Sequence, residues 1–153
     1  MRIVTHSPAE TEEFGRQLGQ CLSEGSVLAM FGGMGMGKTA FVRGLARGAG
    51  FSGEVSSPTF AIVHEYLSGR LPLYHFDMYR VESWEDLASC GFFDYLEMRG
   101  ILAVEWSENI ENALPDTALR LIFERGEQPD ERIIELEGPV PAGLDPGWRY
   151  GCT

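Results

Sequence analysis

Apolar residues recur along the chain with two spacings. In "SPAETEEFGRQLGQCLSEG" they fall at Phe14, Leu18, Cys21 and Leu22, three or four apart, which puts them on one helical face. Ser7 is suited to cap that helix, Pro8 to its first turn and Gly25 to its end. "KTAFVRGLARGAG" repeats the spacing with Phe41, Val42, Leu45 and Ala49 facing inward. "SVLAMF" and "GILAVEW" are instead unbroken apolar runs of strand length, as expected of strands buried on both faces. Residues 2–5 predict a short edge strand. "EVSSPTFAIVHEYL" opens as a loop and becomes a strand from about Phe60; the turn "SGR" then leads into a second strand in "RLPLYHFDMYR", so the two predict a hairpin. "ESWEDLASCG" and "FFDYLEMR" read as short helices, and "ALRLIFERG" and "ERIIELEG", joined by "EQPD", as a terminal antiparallel hairpin. One crossover helix between buried strands plus two hairpins implies an α/β fold with a mixed sheet. Residues 1–138 make a single domain on this reading, and the Pro/Gly-rich residues 139–153 a loosely held tail.

Composition narrows the class. The chain has 153 residues, 44% hydrophobic and 23% charged, the profile of one globular domain with a real core. No apolar run reaches the length of a membrane span, and "MRIVTHSPAETEEF" turns acidic too early for a signal peptide, so a cytoplasmic location is expected. Cys21, Cys90 and Cys152 lack metal-site spacing and read as reduced thiols. With 23 acidic and 12 basic residues the formal charge is −11, which repels a polyanion and argues against direct holding of nucleic acid. Eleven of the 12 basic residues are Arg and the remaining one is Lys38, so a compact ammonium is singled out at one place.

Lys38 lies in "GGMGMGKT", residues 32–39, which satisfies GxxxxGK(S/T) through Gly32, Gly37, Lys38 and Thr39 between a strand and a helix. Glycines allow successive backbone N–H groups to turn inward on phosphate oxygens, and the helix N-terminus adds its positive dipole end. Gly32, Gly33, Met34, Gly35, Met36, Gly37, Lys38, Thr39 and the adjoining Ala40 are therefore the expected ATP-binding run, with Lys38 directed at the β- and γ-phosphates and Thr39 at Mg²⁺. The expected architecture is a P-loop NTPase-like three-layer sandwich around a mixed parallel and antiparallel central sheet. Glu105 ends an apolar strand, where such proteins place a carboxylate for Mg²⁺ or the attacking water; the plainer alternative is a solvated strand end. Asp77 in "YHFDMYR" shares a strand face with His75 and Tyr79 and needs a cation or hydrogen bonds there, an ion pair with Arg80 being the alternative to a Mg²⁺ neighbourhood. His75 reads as a core histidine. Thr59 in "SSPTF" is a candidate contact to the γ-phosphate in a switch loop, although the same residues are ordinary turn formers. Ser7 and Thr11 are candidates for part of an adenine pocket.

In this order and in a chain of this length, "GGMGMGKTAFVRGL", "SSPTF", "YHFDMYR" and "GILAVEW" resemble the TsaE (YjeE) family of bacterial P-loop ATPases over roughly residues 5 to 125. The resemblance implies a Mg²⁺-dependent ATPase of low intrinsic activity. It would act with the TsaB and TsaD proteins in tRNA N6-threonylcarbamoyladenosine formation at adenosine 37, with tRNA reached through the complex. It further implies Thr39 and Glu105 near Mg²⁺, Asp77 supporting the metal or water site, Thr59 in the switch loop and Trp106 beside the nucleotide. The family's loop usually reads GDLGAGKT, so Gly33 stands in place of an acidic residue and Met36 in place of a small one. A small-molecule kinase uses the same loop, and a non-hydrolysing assembly subunit is a third reading. "RVESWED" is short and acidic for a kinase lid.

Overall fold

A computed structural model describes residues 1–58, 62–145 and 147–148. The strands are β1 (Arg2–Thr5), β2 (Val27–Phe31), β3 (Val63–Tyr66), β4 (Leu73–Asp77), β5 (Ile101–Glu105), β6 (Leu119–Arg125) and β7 (Arg132–Glu137). The α-helices are α1 (Pro8–Cys21), α2 (Lys38–Gly48), α3 (Trp84–Ser89) and α4 (Phe92–Leu96), and Ser107–Ala113 form a 3₁₀ segment. All strands join one sheet of seven in the order β1-β7-β6-β2-β5-β4-β3. β2 runs parallel to β5 and to β6, and β5 parallel to β4, whereas β3, β7 and β1 attach antiparallel. The mixed α/β sandwich expected from the sequence is therefore present. The unbroken apolar runs β2 and β5 are adjacent central strands with every residue buried, since helices cover both faces.

Side-chain parity sorts the core into two layers. Leu28, Met30, Leu73, Ile101 and Ala103 face α1 and α2, meeting Phe14, Leu18, Phe41 and Leu45. Ala29, Tyr74, Phe76, Leu102 and Val104 face the opposite way, against Leu87, Phe92 and Ile110. Ser7 caps α1 by accepting a hydrogen bond from the Glu10 N–H at 3.1 Å, and Pro8 opens the helix. The helix stops at Cys21, ahead of Gly25, which sits in the following turn at φ 80°.

The strand start anticipated near Phe60 lies outside the described residues, and β3 begins at Val63. The 139–148 stretch places two of its side chains in the core. Leu144 and Trp148 are buried with the α1 face of the core, and the Trp148 ring meets Phe14 edge-on at 5.4 Å. Its Pro/Gly content hides two large apolar side chains, and burying each contributes roughly 1.5–3 kcal/mol. Cys21 and Cys90 are half-buried free thiols.

Candidate active site

The loop between β2 and α2 turns on three glycines in backbone regions that side chains rarely adopt: Gly32 at φ 132°, Gly35 at 75° and Gly37 at 93°. A Cβ on Gly32 would also press on the Phe123 carbonyl oxygen at 2.7 Å, so that position is closed to other residues twice over. Gly33 adopts no such conformation and faces open space, so the loop keeps its path without the family's acidic residue there. The loop borders a cleft of about 440 Å³ lined by Met34, Gly35, Met36, Gly37, Lys38, Thr39 and Ala40 on one side, and by Asp77, Glu105 and Trp106 on the other.

Lys38 is 5% exposed. Its Nζ donates to the Gly32 carbonyl at 2.5 Å and lies 4.6 Å from the centre of the Trp106 ring. Burial pushes the ammonium below the ordinary lysine range, opposed by the charges of Glu105, Glu108 and Asp77. Trp106 reaches its place over Lys38 because the backbone leaves β5 at φ 56°, ψ 42°, a left-handed conformation unusual for a tryptophan.

The parallel register of β4 and β5 sets Asp77 beside Glu105 and His75 beside Ala103, and partners in register share a face. Asp77 and Glu105 are 6% and 5% exposed, so two carboxylates end adjacent strands at the mouth of the loop. An Asp77 Oδ1 accepts from the Tyr79 N–H at 2.9 Å. Glu105 Oε2 lies 2.8 Å from His75 Nε2, which is fully buried. Glu105 is thus an anchored carboxylate and not a solvated strand end. Tyr79 departs from the expected alternation, because β4 ends at Asp77; it is half exposed, lines the cleft and packs on Trp106 at 4.9 Å. Thr39, Asp77 and Glu105 bring side-chain oxygens to the cleft, as do Ser57 and Tyr79. Among the described residues no three His, Cys, Asp or Glu side chains converge as a metal cage, so a cation there would draw its remaining ligands from a phosphate or water.

Thr11 stands behind the loop. Its hydroxyl is buried against Thr5 at 2.7 Å, and its methyl lies 3.7 Å from where a Cβ on Gly37 would be. Pro8, next to Ser7, reaches the cleft wall. Thr59 lies outside the described residues; from the same loop, Ser57 lines the cleft. Two contributors, Arg132 and Glu108, have no place in the sequence analysis. Arg132, at the start of β7, borders the cleft, donates to the Gly35 carbonyl at 3.2 Å and has its buried Nε without a partner among the described residues. A Glu108 Oε2 accepts from the Gly32 N–H at 3.2 Å. His75 is the buried histidine that strand parity predicts, its bond to Glu105 being the new feature, whereas nothing in the sequence ties the terminal hairpin to the loop.

Strand, glycine loop and helix in a mixed α/β sandwich, with paired carboxylates at neighbouring strand ends, define a P-loop protein. The model of the family described as threonylcarbamoyl adenosine biosynthesis protein TsaE matches residues 5–134, and the chain belongs to the TsaE family. A protein of Treponema pallidum named tRNA threonylcarbamoyladenosine biosynthesis protein TsaE is 41% identical over 116 residues, 76% of this chain and 85% of its own. The same name is carried by a relative from Nostoc, 39% identical over 99% of this chain and 88% of its own length. The crystal structure of Bacillus subtilis YdiB superposes with a TM-score of 0.77 at 34% identity, covering 89% of this chain and 83% of that one. Among the described residues no helix is long and apolar enough to cross a membrane.

Proposed function

We propose that this protein binds and hydrolyses Mg-ATP in the cleft, as the ATPase subunit that serves tRNA threonylcarbamoyladenosine formation at adenosine 37 together with TsaB and TsaD. The observation that carries the reading is the buried Lys38 facing the Asp77–Glu105 pair across a glycine loop. In the proposed complex Lys38 exchanges the Gly32 carbonyl for β- and γ-phosphate oxygens, while backbone N–H groups of residues 35–39 cradle the phosphates. Thr39, Asp77 and Glu105 fit Mg²⁺, a hard cation that takes one or two carboxylates and completes its shell with phosphate and water. Bound there, the cation would neutralise phosphate charge. Glu105 orients a water whose oxygen bonds to the γ-phosphorus as the bridge to ADP breaks, and the water's proton leaves with the phosphate. The chain's formal charge of −11 suits a subunit that reaches tRNA only through its partners, in the cytoplasm where tRNA is modified. The kinase alternative draws little support: the stretch that might have formed a lid is a turn and the six-residue α3, with Glu85 and Asp86 in its first turn.

Calorimetry and phosphate release test the reading. Lys38→Ala is expected to weaken Mg-ATP binding by about 100-fold, the scale of losing one strong charged contact to a phosphate. Glu105→Gln is expected to keep ATP affinity within about threefold while phosphate release with TsaB and TsaD falls by about 100-fold. Asp77→Asn, titrated with Mg²⁺ in parallel, separates the two carboxylates: the variant with the greater rise in Mg²⁺ requirement carries the metal. Unchanged nucleotide affinity in Lys38→Ala would sink the proposal.

A further inference from the structure

The bond between His75 and Glu105 has no counterpart in the motif chemistry. His75 is fully buried on β4, opposite the small Ala103, so its ring has room to lean along the sheet toward Glu105. Nε2 and the Glu105 Oε2 are 2.8 Å apart. An ionised carboxylate can only accept, so the shared proton sits on Nε2. The other ring nitrogen, Nδ1, is buried and meets no partner among the described residues. The Tyr66 ring lies against the imidazole at 6.5 Å between centres, and the Tyr66 hydroxyl is occupied by the Ser56 carbonyl at 3.2 Å.

We infer that His75 is a positioning residue: its Nε2–H holds one Glu105 oxygen and leaves the other to face the cleft. Glu105 ends its strand on a flexible side chain. Its buried tether selects one orientation before any ligand arrives, as outer-shell partners do for carboxylates at metal sites. What Glu105 then does rests on the proposed ATPase reading; the tether itself does not.

Two independent measurements test it. Ring ¹⁵N NMR of the full-length protein should show a proton on His75 Nε2, with a ring-proton shift that changes in Glu105→Gln. A bare Nε2, or a signal indifferent to Glu105→Gln, overturns the inference. The second measurement is turnover with TsaB and TsaD. His75→Leu removes the donor, and His75→Gln replaces it with an amide N–H at similar reach. His75→Leu should lower kcat by about 10-fold or more, the scale of outer-shell losses, with KM for ATP within about twofold. His75→Gln should recover most of kcat. Melting temperatures guard against misfolding: if Leu and Gln variants melt alike and lose kcat alike, His75 is a packing residue and the inference fails. A wild-type protein without ATP turnover would refute the proposed function instead, and the NMR result would then decide the tether alone.

Discussion

On one face of the sheet two helices meet backbone to backbone, while on the other two shorter helices stand on aromatic rings. Between α1 and α2 the contact runs over Gly15 and Gly19 on one helix and Gly44 and Gly48 on the other. A Cβ at any of the four would collide with a carbonyl oxygen of the facing helix, those of Phe41, Leu45, Glu12 and Arg16 respectively. Glu12 on α1 also pairs with Arg43 and Arg47 on α2. On the far face Phe76 meets Phe92 and Tyr95 edge-on, at 5.6 and 5.1 Å, and Tyr74 meets Tyr95 at 4.9 Å. Rings can rotate and repack; backbones in contact cannot. The rigid layer is the one whose helix begins with Lys38 and Thr39, so the loop is fixed from behind by the joint that tolerates least change. The aromatic layer holds the other side of the same strands with side chains alone.

Gly44→Ala breaks the rigid layer and is the largest effect expected. In an open helix the change would stabilise by about 1 kcal/mol. Here the added methyl meets the Glu12 carbonyl, and overpacking against immovable backbone costs about 3 kcal/mol or more, for a net loss of at least roughly 2 kcal/mol. Urea denaturation should show the midpoint falling at constant slope. Gly33→Ala is the control, since its Cβ meets nothing within 4 Å, and should change stability by less than about 0.5 kcal/mol. If Gly44→Ala is neutral, the two helices can slide and the contrast between the layers is lost.

Phe92→Leu probes the aromatic layer. Phe92 is fully buried against Phe76, and replacing its ring by a side chain three carbons smaller, in a core that can partly repack, costs about 1–2 kcal/mol, the pair's directional part of about 0.5 kcal/mol included. ATP affinity should stay within about twofold, because Phe92 does not line the cleft, although Trp106 at the edge of this layer does. A larger loss of affinity than of stability would show that the layers are coupled.

Much of this plan was written in local spacing. The β2–loop–α2 unit, both hairpins, the paired short helices and the fully buried β2 and β5 follow from apolar periods and turn residues, which act within a dozen positions. Neighbour choice does not. That β6 lies beside β2, bringing the terminal hairpin and Arg132 to the loop, depends on pairing between residues about ninety apart in sequence, and periodicity is silent on it. The glycines of α1 and α2 read as poor helix formers until the facing carbonyls are seen. In the site, Glu105 is legible as a strand-end acid and Asp77 as an acid on a strand face, but their adjacency and the His75 tether appear only once β4 and β5 are in register. Trp148 was obscured because composition averages over the two side chains that matter.

The smallest expected effect lies at the edge of the aromatic layer, where the Tyr95 hydroxyl donates to the Glu65 carboxylate. That bond, with burial second, pushes the phenol up to about 12 from the ordinary value near 10. The fold therefore holds the Tyr95 proton more tightly than the unfolded chain does. The stability this contributes is fully present below pH 10 and is lost as pH rises toward 12, because the folded state must give up the bond and set a phenolate beside Glu65. The pair is within reach of solvent, so Tyr95→Phe should cost only about 0.5–1 kcal/mol at pH 7. Midpoints for wild type and Tyr95→Phe should then stay a constant distance apart from pH 7 to 9.5 and converge above pH 10. Tyr74 and Phe76 still pack on the ring that remains, so the variant should keep wild-type ATP affinity. A gap that widens above pH 10 would mean that the folded state releases the Tyr95 proton more easily than the unfolded chain, and that the aromatic edge is held by packing without help from this bond.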